Sequence, residues 1–190
     1  FTESRVEDAP VRVNDKMVLW REGGKEFLQA GERDYMYGLF CGSLLGDIRN
    51  WIGVQNLAYM QVDDEALLRE IIDTVAERHY RATEHILGHG PVFDFGHFWE
   101  DICFRNGPLV SPAMFEEFVG PHYERITGLL NAHGIDIVSV DCDGCIDTLI
   151  PTWLENGVNT MFPIEVGTWN ASIGPWREQY GKELRGVGGM

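Results

Sequence analysis

The feature that most narrows the fold is an alternation. Short apolar segments ending in small or polar residues alternate with stretches that carry apolar side chains every third and fourth position, on short connections. Five segments read as buried strands: 35–40, ending at Cys41-Gly42-Ser43; 91–98, ending at Trp99-Glu100-Asp101; 135–140, running into Asp141-Cys142-Asp143-Gly144-Cys145; 160–166, containing Phe162-Pro163-Ile164-Glu165; and 184–187. Between them, Leu67, Leu68, Ile71, Ile72 and Val75 form one helical stripe, and Asp63 is the expected cap of that helix. Ser111-Pro112 opens another helix, with serine as N-cap and proline in the first turn, where its missing N–H costs nothing. Pro121 should kink or split that helix, and His133-Gly134 should end it. Further helices are expected through Ile48 and Trp51, over 147–155 and over 175–182. Near the start, Met17-Val18-Leu19-Trp20 followed by Gly23-Gly24 suggests a hairpin.

Strands separated by helices on short connections imply a parallel sheet, because parallel neighbours need a crossover. A doubly wound nucleotide-binding sheet would show a glycine-rich phosphate loop after its first strand, and neither G-x-G-x-x-G nor G-x-x-x-x-G-K-[ST] occurs. Polar residues collect instead at the ends of several strands, as in barrel enzymes. The expected fold is α/β, a parallel β/α (TIM-type) barrel, with residues 1–190 as one domain. Because the sequence opens on Phe1 and closes on Met190 just after a glycine-rich strand, the barrel is expected to be incomplete, with parts missing at one or both ends.

Charge excludes some partners. Thirty acidic against 15 basic residues give a net charge of −15, which repels phosphate backbones and anionic membrane surfaces. No apolar run reaches the roughly 18 residues of a membrane helix, and no signal peptide opens the chain. Four cysteines in 190 residues are too sparse for a disulfide scaffold and suit a reducing cytoplasm.

Three strand ends carry groups able to do chemistry. On a regular strand, Asp141 and Asp143 share one side and Cys142 faces the other, so both aspartates can enter one pocket. His97, Glu100 and Asp101 cluster at the preceding strand end, where burial or like charge would raise a carboxyl pKa toward acid–base use. Glu165 ends an otherwise apolar strand, and a buried unpaired charge is costly without a function. Cys41 ends a fourth strand; taken alone it reads as a small buried hydrophobe. Cys142-x-x-Cys145 lacks the second ligand pair of a structural zinc site. Trp51, Trp153 and Trp169 read as packing residues.

The order of these motifs resembles the uroporphyrinogen decarboxylase superfamily. The resemblance is carried by Phe98-Trp99-Glu100-Asp101, by the run from Gly107-Pro108-Leu109-Val110-Ser111-Pro112 to Gly120-Pro121, by Val140-Asp141-Cys142-Asp143-Gly144 through Leu149-Ile150-Pro151, by Glu155-Asn156-Gly157-Val158-Asn159 with Pro163-Ile164-Glu165, and by Gly186-Val187-Gly188-Gly189. It implies a dimeric β/α barrel with one of two chemistries. One branch decarboxylates uroporphyrinogen in porphyrin biosynthesis without a cofactor, using an arginine-rich N-terminal segment that would lie before Phe1 and a tyrosine where this chain has Asp47-Ile48. The other branch transfers methyl groups to or from a corrinoid carried by a partner protein or a thiol, with zinc bound by a His-x-Cys-Gly motif. Here the corresponding positions are Asp141, Cys142, Asp143 and Gly144.

On this resemblance a methyltransferase-like activity is the leading expectation, with a decarboxylase-type carboxy-lyase of a tetrapyrrole, or an inactive interaction-only barrel, as alternatives. Glu100, Asp101 and Asp143 are then the expected catalytic residues, and His97, Cys41 and Trp99 the expected substrate contacts. Asp141, Cys142, Asp143 and Glu165 are the expected zinc ligands. A cytoplasmic homo-oligomer acting on a small molecule is expected, with a corrinoid protein as partner and neither nucleic acid nor membrane.

Overall fold

A computed structural model describes residues 10–30 and 33–189. A hairpin of β1 (Pro10–Val13) and β2 (Lys16–Leu19) leads through a single 3-10 turn into α1 (Gly24–Ala30). The hairpin turns at Asn14, whose φ of 53° suits asparagine, so the Gly23-Gly24 pair starts the following helix and does not close the hairpin. Then come β3 (Gly38–Gly42), α2 (Gly46–Ile52), α3 (Val54–Asp63), α4 (Glu65–Gly88) and β4 (Phe95–Trp99). A short ribbon of β5 (Cys103–Phe104) and β6 (Gly107–Pro108) precedes α5 (Pro112–Phe118) and α6 (Gly120–Ala132). The remaining elements are β7 (Val138–Asp141), α7 (Ile150–Glu155), β8 (Thr160–Ile164), α8 (Val166–Trp169), α9 (Ile173–Tyr180) and β9 (Arg185–Gly188).

The five strands expected from the alternation form one parallel sheet in the order β3-β4-β7-β8-β9, each strand beside the next in sequence among them. That stepwise order is how a β/α barrel is laid down. Among the described residues the sheet is open, with β3 and β9 as its edges, so the fold is mixed α/β with the layout of part of a barrel. No helix in the described residues is long and apolar enough to cross a membrane.

Local chemistry explains the boundaries. The Ser111 hydroxyl accepts from Met114 N at 3.1 Å, the expected cap. The chain breaks at Val119 between α5 and α6, just ahead of Pro121. At α4 the cap is Asp64, which accepts from Leu67 N at 3.1 Å, while Asp63 closes the separate helix α3. The stripe of α4 buries Leu68, Ile72 and Val75 but leaves Leu67 exposed. Each such buried aliphatic side chain contributes about 1.5–3 kcal/mol.

The two faces of the sheet differ. Phe98, Val138, Val140 and Met161 are fully buried, and Phe98 meets Tyr123 of α6 edge-on at 4.9 Å. Gly96 lies on the same side, where an added Cβ would sit 2.6 Å from a Leu130 methyl, so any larger residue would force the Leu130 side chain to move. The opposite face carries Phe95, His97 and Trp99 on β4, and Ser139 and Asp141 in register on β7. There His97 lies about 6.4–6.5 Å from the rings of Phe40, Phe95 and Phe162. Phe40 is 59% exposed.

Candidate active site at the strand ends

Strand register brings the acidic residues together. Trp99 pairs with Asp141 and Asp141 with Phe162, so β4 and β7 end level and β8 runs two residues further to Ile164, and the loops beyond them share one rim. Asp141 is half-buried there. Burial first, then the charges of Asp143 and Asp101, push its carboxyl from 3.8 up to about 6. Asp143 is raised as well, by burial and by the charges of Glu165 and Asp101. Asp101, Asp141, Asp143 and Glu165 therefore form one electrostatic group, although they come from three strand ends.

Two of these carboxylates also brace the rim. Glu165 accepts from Gly144 N at 2.5 Å and from the Thr168 hydroxyl at 2.8 Å, tying the loop after β7 to α8. Gly144, at φ 91°, is pressed against the β5–β6 ribbon: an added Cβ would lie 2.6 Å from the Cys103 carbonyl oxygen and 2.7 Å from that of Phe104. Cys145 N donates to the Phe104 carbonyl at 2.8 Å, closing the same contact. Asp101 has φ 50°, a conformation uncommon for a residue with a side chain, and is held by Arg49. That guanidinium donates to the Asp101 carbonyl, pairs with its carboxylate at 3.4 Å and lies over the Trp99 ring at 5.5 Å. Arg49 thus brings a cation to this rim, and no motif in the sequence singled it out.

His97 looks into the same opening from one register step deeper. Its Nδ1 lies 2.8 Å from the Ser139 hydroxyl, which itself donates to the Gly96 carbonyl at 3.2 Å. The hydroxyl oxygen thus accepts from Nδ1–H, leaving Nε2 as an acceptor toward the opening. Burial lowers the His97 pKa and keeps the ring neutral.

Three expected site residues lie elsewhere. Glu100 is fully buried on the helix side, where its carboxylate accepts from Leu44 N at 2.7 Å, Leu45 N at 2.9 Å, Gly46 N at 2.8 Å and the Tyr123 hydroxyl at 2.6 Å, with the Ser43 hydroxyl at 3.3 Å. With its lone pairs filled, Glu100 holds the β3–α2 turn and is not free to act on a substrate. Cys41 is buried against Gly96, its Sγ 3.4 Å from where a Cβ there would lie, and burial pushes its thiol up to about 12. It is therefore a core residue and not a substrate contact. Cys142 faces the core, as strand alternation requires, with its sulfur accepting from Ile102 N at 3.4 Å and the Cys103 thiol beside it. The zinc set Asp141, Cys142, Asp143 and Glu165 is accordingly not assembled, and no group of three or more His, Cys, Asp or Glu among the described residues is arranged to hold a metal ion.

No protein-family model and no curated protein sequence matches the chain. Among solved structures, a methyltransferase from Methanosarcina mazei is similar over 86% of this chain and 45% of its own, with a TM-score of 0.63 and 16% sequence identity. The chain thus spans less than half the length of that protein. At this identity the likeness establishes the fold: a mixed α/β arrangement of the kind that a methyltransferase also uses.

Proposed function

We propose that this chain is part of a methyltransferase-like enzyme of the uroporphyrinogen decarboxylase superfamily, with its reacting centre at Asp141. The observation that carries the reading is the raised carboxyl of Asp141 within a four-carboxylate rim at the ends of parallel strands. The shared fold with a methyltransferase supports it. A carboxyl titrating at about 6 exchanges its proton near neutral pH, the condition for general acid–base work. In this reading Asp141 moves a proton at the substrate, and Asp143 and Asp101 hold its affinity for that proton high. Arg49 fixes Asp101, while neutral His97 offers Nε2 as a hydrogen-bond acceptor and Trp99 a flat wall. A rim of this charge favours cationic or hydrogen-bond-donating substrates.

The decarboxylase alternative requires a substrate bearing several carboxylate side chains, which the four carboxylates of the rim repel despite Arg49. A corrinoid carried by a partner protein, a cytoplasmic location and a homo-oligomer accompany the methyl-transfer reading as proposals. So does zinc, although no step is assigned to it because its expected ligands are not brought together.

The test is anaerobic incubation of the protein with methylcobalamin and a small thiol, with and without zinc, following demethylation by absorbance. Methyl loss from the corrinoid is expected, reduced roughly 100-fold or more in Asp141→Asn. Metal analysis of the wild type and of Asp143→Ala decides whether zinc belongs to the protein. Turnover of uroporphyrinogen without metal, together with an inert methylcobalamin assay, would replace methyl transfer by the lyase reading.

A further inference from the structure

Beyond the acidic rim, the loop after β7 and the two helices after β8 enclose a second cleft of about 370 Å3. Its walls include Trp169 at the end of α8, Trp176 and Tyr180 on α9, and Asp147 from the facing loop. The two indoles are 6.0 Å apart between centroids and tilted by 36°, so they form a corner and not a flat stack. Trp176 Nε1 donates to the Asp147 carboxylate at 2.7 Å, which fixes that carboxylate at the edge of the corner. Tyr180 completes the wall: burial and the nearby charge of Asp147 raise its hydroxyl pKa. No Lys or Arg among the described residues forms an ion pair with Asp147.

Aromatic faces carry negative potential and attract cations, most strongly when a ring corner is desolvated. A carboxylate held at the edge of such a corner adds a formal negative charge, and the chain's overall −15 adds a long-range field of the same sign. The volume suits a small molecule, and too little acidic surface is present for a multiply charged metal ion. We propose that this cleft is a binding site for a compact organic cation of the alkylammonium class, with the onium group against Trp169, Trp176 and Tyr180 and its charge facing Asp147. The site is separate from the rim around Asp141 and does not depend on methyl transfer.

Choline chloride is the probe, with 3,3-dimethylbutan-1-ol as its uncharged isostere and sodium chloride as the salt control. The indole N–H signals of Trp169 and Trp176 in proton–nitrogen spectra report on the site. Choline is expected to shift both signals saturably, and the isostere to leave them in place. Asp147→Asn keeps an oxygen for Trp176 Nε1 while removing the charge, so it should fold normally and weaken choline roughly fivefold or more. Trp169→Leu, checked for folding by circular dichroism, should abolish the shift at Trp176. An equal response to the isostere, unchanged affinity in Asp147→Asn, or no saturation with choline would overturn the proposal. Choline binding in a protein inactive toward methylcobalamin would sustain this site and remove only the methyl-transfer reading.

Discussion

Glu100 and Asp141 follow or end adjacent parallel strands, β4 and β7, and in the sequence the first reads as a catalytic residue and the second as a metal ligand. Their surroundings separate them. Glu100 turns to the helix side, loses all contact with water and is filled by donors from the β3–α2 turn and from α6. Asp141 stays on the open face, half-buried, with like charges as its electrostatic neighbours and no strong donor to satisfy it. Burial raises both carboxyls, but the donors around Glu100 commit it to the fold, while Asp141 keeps its oxygens free for acid–base chemistry. Position at a strand end therefore marks a location, and the hydrogen-bond inventory decides the role.

The sharpest way to break this comparison is Glu100→Ala. Removing the acceptor leaves three backbone N–H groups and the Tyr123 hydroxyl unpaired in the core, an expected loss of roughly 3–5 kcal/mol. Urea unfolding should show a lower midpoint or a protein already unfolded; wild-type stability would mean that the turn does not depend on Glu100. Tyr123→Phe removes a single hydrogen bond to the same buried carboxylate and should cost about 1.5–3 kcal/mol by the same measurement.

Asp141→Asn should act in the opposite direction and less strongly. The folded carboxyl titrates at about 6 and the unfolded one near 3.8, so between these values the folded state holds a proton that the unfolded state has released. Stability contributed by this group is therefore full below the lower value, falls as pH rises and is lost above about 6. The asparagine variant should melt on the order of 1–3 °C higher at about pH 8 and show no gain at about pH 4; solvent screening at a half-exposed group keeps the effect small. A destabilised variant at the higher pH would mean that Asp141 is a structural acid like Glu100.

The fold was legible where periodicity and punctuation agree. Five apolar runs became five parallel strands, Ser111 capped its helix, and Pro121 divided α5 from α6. What the pattern missed has identifiable causes. Helix α3 buries little beyond Leu57 and exposes Val54, Tyr59 and Val62, so it shows no amphipathic stripe. The hairpin turn rests on Asn14 while the louder glycine pair lies beyond it. At the site, alternation correctly sent Asp141 outward and Cys142 inward. The same alternation puts Glu100 on the side of Gly96 and Phe98, where it lies, but the donors from the β3–α2 turn and Tyr123 that occupy its carboxylate come from distant segments and leave no mark in the local pattern. Arg49 stands as a lone arginine on a helix, and only folding shows that it reaches Asp101 and Trp99. Trp169, read as packing, lines the second cleft.

Gly144 has a consequence for how this molecule can vary. Because the loop after β7 is seated directly on the carbonyls of Cys103 and Phe104, and Glu165 grips the same glycine from the other side, the segments after β4, β7 and β8 behave as one mechanical part. Insertions confined to one of them would lift the others off their seats, so diversification of the rim must proceed by matched changes in all three or by side-chain exchange on a fixed frame. A designer seeking a new substrate would do better to vary Trp99 and Asp143 on that frame than to graft a new loop.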